Sequence, residues 1–221
     1  MIGPPRLLAQ RDQLWVLYKP AGFAVHRASD RNIPDLMTWA SEHLPLPKAL
    51  APIHRLDRDT SGLVLCSPDT DTRSSIGRLF ARHEVIKEYR ALVFGRTHKK
   101  GVIRRPLKDK RRRQQLNSIT RYKRLASFRN ASYLAITPET GRYHQIRRHM
   151  QGIGHAIVGD ERYPPRRFQP IAGFPGRLWL HAHRIQLPDG EEYISPLPPE
   201  LDEHICLLED IAEQSMSRSS G

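Results

Sequence analysis

The sequence predicts an α+β protein with a mainly antiparallel sheet. Two observations lead to this prediction. Segments with strand-like alternation outnumber segments with helical spacing, and most of the predicted strands follow one another through short turns, as in hairpins. The 221 residues, of which 38% are hydrophobic, are enough for one sizeable core. We therefore predict one domain over residues 1–213 and a disordered tail over residues 214–221.

The predicted strands are apolar or alternating runs that end at turn residues. They cover residues 14–19, 64–66, 85–94, 120–128, 132–138 and 178–187, and the Asp189-Gly190 turn leads back into a short strand at 193–194. Four helices are predicted from apolar stripes at helical spacing. The first has Pro34 in its first turn, the second is capped by Asp69 or Asp71, the third covers residues 143–152, and the last covers residues 199–212.

Positive charge is concentrated in one segment. The net charge is +13, and residues 96–148 hold 17 Lys or Arg against two acids, whereas the remainder holds 19 basic and 21 acidic residues. A clustered excess is typical of a surface that binds a polyanion, although a solvated charged surface is the alternative. Of the 36 basic residues 28 are Arg, which can bind phosphate or stack on unpaired bases. Residues 96–116 are expected to stay mobile until a polyanion neutralises them.

Several classes of protein are disfavoured by what the sequence lacks. It has no apolar run that could span a bilayer and no secretion signal at its start, so we expect a cytoplasmic protein. Cys66 and Cys206 lie far apart, and Cys66 is in an apolar run, so a free thiol is expected there. There is no P-loop, no dinucleotide-binding motif and no spaced Cys cluster, which predicts neither a metal nor a cofactor. The absence of a heptad pattern predicts a monomer.

One carboxylate stands out from the other acidic residues. Asp57 lies between Arg55 and Arg58, just before a Thr-Ser-Gly turn that leads into the strand at 64–66. Reactive groups are often held where a loop meets a strand, and the two arginines would favour the charged form that a nucleophile or base needs. The alternative is an exposed Arg–Asp pair with no chemical role.

Four stretches in this order together resemble one family. The run His54-Arg55-Leu56-Asp57, followed by Thr-Ser-Gly-Leu at 60–63, resembles the active-site signature of the RluA-type pseudouridine synthases. Residues 19–22, 87–93 and 140–149 resemble that family's other motifs. The resemblance implies one catalytic domain with a long, bent sheet flanked by helices and a central active-site cleft. Residues 147–149 and 155–160 make the chain resemble the shorter RluA and TruC branch most. The sequence also leaves no room for the small N-terminal RNA-binding domain that many relatives carry, which points to the same branch.

The resemblance also implies a reaction and the residues that carry it. The substrate would be a uridine in a tRNA or rRNA stem-loop, isomerised to pseudouridine without a cofactor. Asp57 would act either as nucleophile at the glycosidic carbon or as base at the neighbouring ribose carbon. Tyr89 would stack on the base and help to remove the final proton, and Arg147 would pair with Asp57.

Further residues are predicted to contact RNA. Arg55 is expected to enter the RNA helix where the target base leaves it, with a phosphate clamp as the alternative. The motif residues Lys19, Arg142, His144 and Gln145 are candidates for orientation or phosphate contacts, with a plain surface lysine as the alternative for Lys19. The basic candidates of the charged segment are Arg104, Arg105, Arg111, Arg112 and Arg113. Two positions depart from the family pattern: Tyr143 replaces a Thr or Ser, and Ala156 replaces a Pro.

Two other functions were weighed against the synthase. A non-catalytic RNA-binding protein would explain the basic segment, but it gives no reason for Asp57, Tyr89 and Arg147 to occur together. A metal-dependent phosphodiesterase could use His54, Asp57, Asp59, His144 and His149 as ligands. Their spacing matches no known metal-binding motif, which argues against this function.

Overall fold

The computed structural model of the chain describes residues 3–27, 30, 32–109 and 114–219. Two compact units are present. The N-terminal unit comprises Ile2–Glu88 and His181–Pro196, and the central unit comprises Tyr89–Leu180 and Leu197–Gly221. Both units combine helices with mainly antiparallel strands, which confirms the predicted α+β class. The single-domain boundaries, the bend of the sheet and the central cleft stay predictions.

The N-terminal unit is built around strand β4. Its strands are β1 (Arg6–Arg11), β2 (Leu14–Lys19), β3 (Ala51–Pro52), β4 (Ser61–Ser67), most of β11 (Leu180–Gln186) and β12 (Glu192–Ile194). The order β1-β2-β4 is antiparallel, β3 also pairs with β4, and β11 runs parallel to β4. Every residue of β2 and β4 is buried, as expected of strands covered on both faces.

Two helices complete this unit, and each begins at an aspartate. Helix α1 (Leu36–His43) is capped by Asp35, whose carboxylate accepts the N–H of Thr38 at 2.9 Å. Pro34 therefore lies just outside the helix and not in its first turn. Helix α2 (Thr70–Ala81) is capped by Asp69, one of the two predicted caps.

The central unit contains a four-stranded antiparallel sheet in the order β5-β10-β9-β6 and a separate two-stranded hairpin. The strands of the sheet are most of β5 (Ile86–Phe94), β6 (Lys100–Arg104), β9 (Ile119–Ser127) and β10 (Ala131–Pro138), and those of the hairpin are β7 (Leu107–Asp109) and β8 (Gln114–Leu116). Helices α3 (Gln145–Gly152) and α4 (Pro199–Ser219) complete it. Their apolar residues, including Met150 and Leu201, join one core with Leu92, Leu134 and Trp179.

The basic segment at 96–116 is more ordered than the sequence predicts. β6 pairs with β9 along five residues, and Ile103 and Leu107 are buried. Gly101 permits this pairing, because a Cβ there would lie 2.5 Å from the ring of Tyr122. The expectation of a mobile segment is therefore wrong for β6 and β7, because each of these strands contains one buried apolar residue, Ile103 or Leu107, beside charged ones. Arg111, Arg112 and Arg113 lie outside the described residues.

Helix α4 continues beyond its predicted end at Ala212. It runs to Ser219 and so includes most of the segment that the sequence predicts as a disordered tail. No Pro or Gly interrupts residues 213–219. The hydroxyls of Ser215 and Ser217 donate to the carbonyls of Ile211 and Glu213, one turn earlier, so these serines bond to the helix backbone.

Candidate active site

Asp57 lies in the N-terminal unit, in the loop between β3 and β4. Its side chain is half-buried, and its backbone carbonyl accepts the N–H of Thr60 at 3.1 Å, which closes a turn directly before β4. Leu56 is buried, whereas Arg55 on its other side is exposed. A buried anchor next to the carboxylate fixes its position, while exposure leaves the Arg55 side chain able to reach a bound molecule.

Lys19 stabilises the Asp57 loop through buried hydrogen bonds to backbone carbonyls. This lysine is fully buried, and its Nζ donates to the carbonyls of Pro20, Phe23 and Arg58 at 3.0, 2.7 and 2.8 Å. The carbonyl of Arg58 also accepts the N–H of Gly22 at 3.0 Å. The ammonium group therefore ties the turn after β2 to the residue that follows Asp57. This burial favours a role of Lys19 in orienting the loop, and RNA contact by Lys19 stays a prediction.

His54 fixes the start of the same loop. Its Nε2 accepts the backbone N–H of Leu65 at 3.0 Å, and its ring stacks on Phe80 with centroids 4.7 Å apart. Burial, together with the charge of Lys87, lowers the pKa of His54 to about 4. The imidazole is thus neutral at physiological pH, and one of its two ring nitrogens is already hydrogen-bonded to the backbone. This geometry argues against His54 as a ligand in a phosphodiesterase.

The packing of β4 against β11 explains the Ser and Gly residue types in the Thr-Ser-Gly part of the motif. Gly62 lies so close to β11 that a Cβ would be 2.2 Å from the carbonyl oxygen of Ala182, and its φ is +122°. Beside it, the hydroxyl of Ser61 and Nδ1 of His181 form a buried hydrogen bond of 2.9 Å. The motif therefore packs β4 against β11 at the point where the Asp57 loop ends. Sequence reasoning did not identify His181, which lies 120 residues away.

Arg58, which directly follows Asp57, has an acidic neighbour of its own, Asp59. Nε of Arg58 lies 2.8 Å from the carboxylate of Asp59, and both side chains are substantially exposed. An exposed pair of this kind contributes little to stability. That Arg55 and Arg58 keep Asp57 charged stays a prediction.

The other two predicted catalytic residues belong to the central unit. Tyr89 is at the start of that unit's part of β5, opposite Ile136 of β10, and its half-buried ring packs against the central core. Arg147 is in helix α3, with only 5% of its side chain exposed. That Asp57, Tyr89 and Arg147 meet in one site is part of the proposal below.

Arg147 forms a buried ion pair with Asp160. Its Nε and Nη2 each donate to one carboxylate oxygen at 2.7 Å, and the carboxylate is fully buried. Asp160 also accepts the backbone N–H groups of Arg162 and Tyr163 at 3.1 and 2.9 Å. Such a bidentate pair fixes the plane of the guanidinium. Asp160 is a positioning residue that sequence reasoning missed, because nothing in the sequence distinguishes it from the adjacent acid Glu161.

One more motif residue, Gln145, has structural partners. Gln145 is buried, and its amide makes four hydrogen bonds, of which the oxygen accepts from Thr140 and Arg142, while the nitrogen donates to Ile119 and Thr120. This uses the hydrogen-bonding capacity of a glutamine side chain, which favours a role of Gln145 in holding the start of α3, and RNA contact by Gln145 stays a prediction.

The remaining predicted RNA contacts are more accessible. Arg142 is half-buried, and its Nε donates to the carbonyl of Asn117 at 3.3 Å. His144 is half-buried with a left-handed backbone (φ +50°) at the start of α3. Arg104 and Arg105 are exposed, and Nη1 of Arg105 lies 3.5 Å from the carbonyl of Gly152. RNA contact by these four residues and by Arg55 stays a prediction.

His149 is the last candidate metal ligand of the central unit, and both of its ring nitrogens have hydrogen-bond partners. Its Nδ1 lies 2.8 Å from the hydroxyl of Thr120, and its Nε2 lies 2.9 Å from the carbonyl of Arg105. Among residues 3–27, 30, 32–109 and 114–219, no three His, Cys, Asp or Glu side chains are grouped as metal ligands would be. None of the helices in the described part of the chain is long and apolar enough to cross a membrane.

A family model described as RNA pseudouridylate synthase matches residues 13–152. The chain belongs to this family. The match includes Asp57, Tyr89 and Arg147, and it confirms the family that the four motifs predict. Asp160 lies just beyond the matched residues.

Named pseudouridine synthases are similar to the chain over most of its length. It is 34% identical over 204 residues to ribosomal large subunit pseudouridine synthase C of Vibrio parahaemolyticus, covering 85% of this chain and 63% of that relative. It is also 34% identical over 203 residues to tRNA pseudouridine synthase C of Haemophilus ducreyi, covering 81% of this chain and 83% of the relative. The chain therefore spans less than two thirds of the Vibrio protein's length.

A solved structure supports the same fold. Human RNA pseudouridylate synthase domain containing 4 superposes with a TM-score of 0.77 at 24% identity, covering 92% of each chain. The human RNA pseudouridylate synthase domain containing 1 gives a TM-score of 0.74 at 23% identity. At this level of identity the likeness shows a pseudouridine synthase fold for this chain.

Proposed function

We propose that this pseudouridine synthase isomerises a uridine in RNA to pseudouridine, with Asp57 as the catalytic carboxylate. The observation that carries the proposal is the position of Asp57. It lies in the family's motif, in a loop whose backbone is held by the buried Lys19 and His54. A carboxylate on such a fixed loop meets the geometric requirement of a catalytic group.

The reaction needs one carboxylate near the sugar and a way to move a proton. The bond between uracil N1 and ribose C1′ breaks, the uracil turns, a bond forms between C5 and C1′, and the C5 proton leaves while N1 gains one. Asp57 assists either as nucleophile at C1′ or as base at the neighbouring ribose carbon. Tyr89 stacks on the uracil and assists the last proton transfer. These steps require neither a metal nor a cofactor.

Arg147 is the third residue of the proposed mechanism. We propose that it stabilises the ionised form of Asp57, as an arginine beside a carboxylate does. The buried ion pair with Asp160 supports this role, because it prevents the guanidinium from turning away. The uridine itself must leave the base stack to be reached, and we propose that the exposed Arg55 occupies the space that it leaves.

The basic side chains of the central unit support RNA as the partner. On one face of its sheet, Lys100 of β6 stands directly opposite Lys123 of β9, and both side chains are exposed. Like charges opposite each other in a sheet destabilise it, and no carboxylate of the described residues pairs with either lysine. A polyanion would neutralise both. Together with Arg104 and Arg105, they would contact phosphates of a tRNA or rRNA stem-loop.

The test measures release of tritium from uracil C5 when labelled RNA is incubated with the purified monomeric chain and excess chelator. We expect release from the wild-type protein and none from Asp57→Asn. Asp59→Asn is the matched control, since it removes a neighbouring carboxylate that pairs with Arg58, and it should keep activity within about twofold. RNA binding without release would support a non-catalytic RNA-binding protein, and release that the chelator abolishes would contradict the cofactor-free mechanism.

A second experiment identifies the RNA substrate and the uridine that is modified. Pseudouridine maps of total RNA from cells with and without the gene identify each uridine that depends on the protein. We expect the missing modification in a tRNA or rRNA stem-loop. Loss of no pseudouridine would contradict the proposed activity in the cell.

A further inference from the structure

An exposed aromatic ring lies at the start of α3. Tyr143 is 56% exposed, yet two contacts hold its ring in place. One face of the ring stacks on His144, with centroids 3.8 Å apart and planes at 20°. Its hydroxyl accepts a hydrogen bond from Nη1 of Arg162 at 3.1 Å. A ring so exposed adds little to the core, so these contacts order a side chain that mainly faces solvent.

The contacts that order Tyr143 lead back to Arg147. The backbone N–H of Arg162 donates to Oδ1 of Asp160, and this carboxylate holds Arg147. Next to Arg162, the ring of Tyr163 lies edge-on to His144, with centroids 5.6 Å apart and planes at 85°. The guanidinium carbon of Arg147 lies 5.4 Å from the centre of the Tyr163 ring. The exposed ring is thus connected to a predicted active-site residue through packed groups of the same unit.

The surroundings of the ring are positively charged. The guanidinium carbon of Arg162 is 5.6 Å from the centre of the Tyr143 ring. Nη1 of Arg148 lies 3.4 Å from the carbonyl of Tyr143, and Arg142 precedes it in the chain. The buried carboxylate of Asp160 is neutralised by Arg147, and the exposed Glu161 is the other acid beside Arg162 in the chain. An aromatic surface with cations at its rim suits the base and phosphate of one nucleotide.

We propose that Tyr143 is a stacking platform for an unpaired base of the substrate RNA near the target uridine, and that Arg162 holds the ring and contacts that nucleotide's phosphate. The inference rests on the proposed function, since it takes RNA as the substrate. A preordered aromatic side chain binds a base without first losing its own rotamer freedom, which favours this residue over a flexible surface group.

The test measures binding of a fluorescein-labelled, unstructured 12-nucleotide RNA of mixed sequence by anisotropy at fixed salt. Tyr143→Leu should weaken binding by about 5- to 100-fold, the range found when one base loses an aromatic partner. Tyr143→Phe keeps the ring and should bind within about threefold of wild type. Arg162→Ala should weaken binding through loss of both the hydrogen bond and the charge. Phe168→Leu is the matched control, because Phe168 is another exposed aromatic residue of this unit, 77% exposed.

Three outcomes would overturn the inference. RNA binding by Tyr143→Leu equal to that of the wild type would overturn the inference. Tritium release, and hence the proposed function, would not be affected by that result. Equal losses in Tyr143→Leu and Phe168→Leu would show a non-specific effect of removing exposed rings. Failure of the wild-type protein to bind RNA would overturn both proposals. Thermal unfolding of each variant serves as the check on folding, and we expect midpoints near that of wild type.

Discussion

The guanidinium of Arg147 and the carboxylate of Asp160 are joined by two hydrogen bonds of 2.7 Å, and both groups are buried. Removing one member of a buried pair leaves the other charge without compensation in a medium that solvates it poorly. Asp160 also accepts two backbone N–H groups. It therefore determines both the orientation of Arg147 and the course of the chain at 160–163.

Asp160→Asn tests this relationship. We expect it to lower the free energy of unfolding by about 3–5 kcal/mol, the cost of breaking a buried ion pair, and to lower the rate of tritium release because Arg147 is no longer held. Urea unfolding and initial rates provide the measurements. Glu161→Gln, a change of charge at the exposed neighbouring residue, should alter neither. An Asp160→Asn protein as stable and active as wild type would contradict the role assigned to the pair.

Alanine substitutions at two glycines with positive φ can distinguish the cost of a steric clash from the cost of backbone strain. Both Gly62 (φ +122°) and Gly22 (φ +88°) are in the N-terminal unit, but only Gly62 has backbone atoms where a Cβ would lie. Gly22→Ala should cost about 1–3 kcal/mol through strain alone. Gly62→Ala should cost more than about 4 kcal/mol or prevent folding, because Cβ would be 2.2 Å from the oxygen of Ala182. Similar unfolding midpoints for the two variants would show that β4 and β11 can separate.

Lys123→Glu should affect stability and RNA binding in opposite directions. It replaces two facing like charges, Lys100 and Lys123, by an opposite-charge pair, which should raise the free energy of unfolding by about 0.2–1 kcal/mol. The same change removes a phosphate contact, so RNA affinity should fall, and the slope of log affinity against log salt should decrease by about 1. Lys48→Glu, the same change of charge at an exposed residue of the other unit, is the control. Unchanged RNA affinity in Lys123→Glu would exclude this face from the RNA-binding surface.

His54 should make the protein sensitive to moderate acid. The folded-state pKa of about 4 is below the ordinary value of 6.5, so between these values the unfolded chain binds a proton that the native state excludes. Stability from this group is therefore complete above about pH 6.5 and falls as the pH drops towards 4, by roughly 2–3 kcal/mol. His54→Gln should lack this part of the pH dependence. Unfolding curves at pH 7, 5.5 and 4.5 that change equally for both proteins would contradict the assignment.

Local sequence patterns predicted most of the fold. The span of β2 and the β9–β10 hairpin followed from alternation and turn residues, since neighbouring positions along the chain determine both. The end of α4 did not, because serines that bond back to the helix carry no strong stop or start signal. Order in β6 was also missed, because it depends on pairing with β9, about twenty residues further along the chain.

The site was predictable where its residues carry motifs and unpredictable where a charge is buried. Asp57, Tyr89 and Arg147 all lie within the residues that match the family. The burial of Lys19 could not be predicted, because lysine is rarely fully buried and the neighbouring residues give no sign of three carbonyl acceptors. The partnership of Arg147 with Asp160 spans 13 residues without periodicity, so only the folded chain reveals it.

The pairing of helix α3 with Asp160 has a consequence for engineering. A segment transplanted into another scaffold as residues 140–149 alone would lack the carboxylate that forms the buried ion pair with Arg147. The smallest transferable module extends through Tyr163, where the loop supplies the acid and the aromatic neighbour that keep the arginine in register.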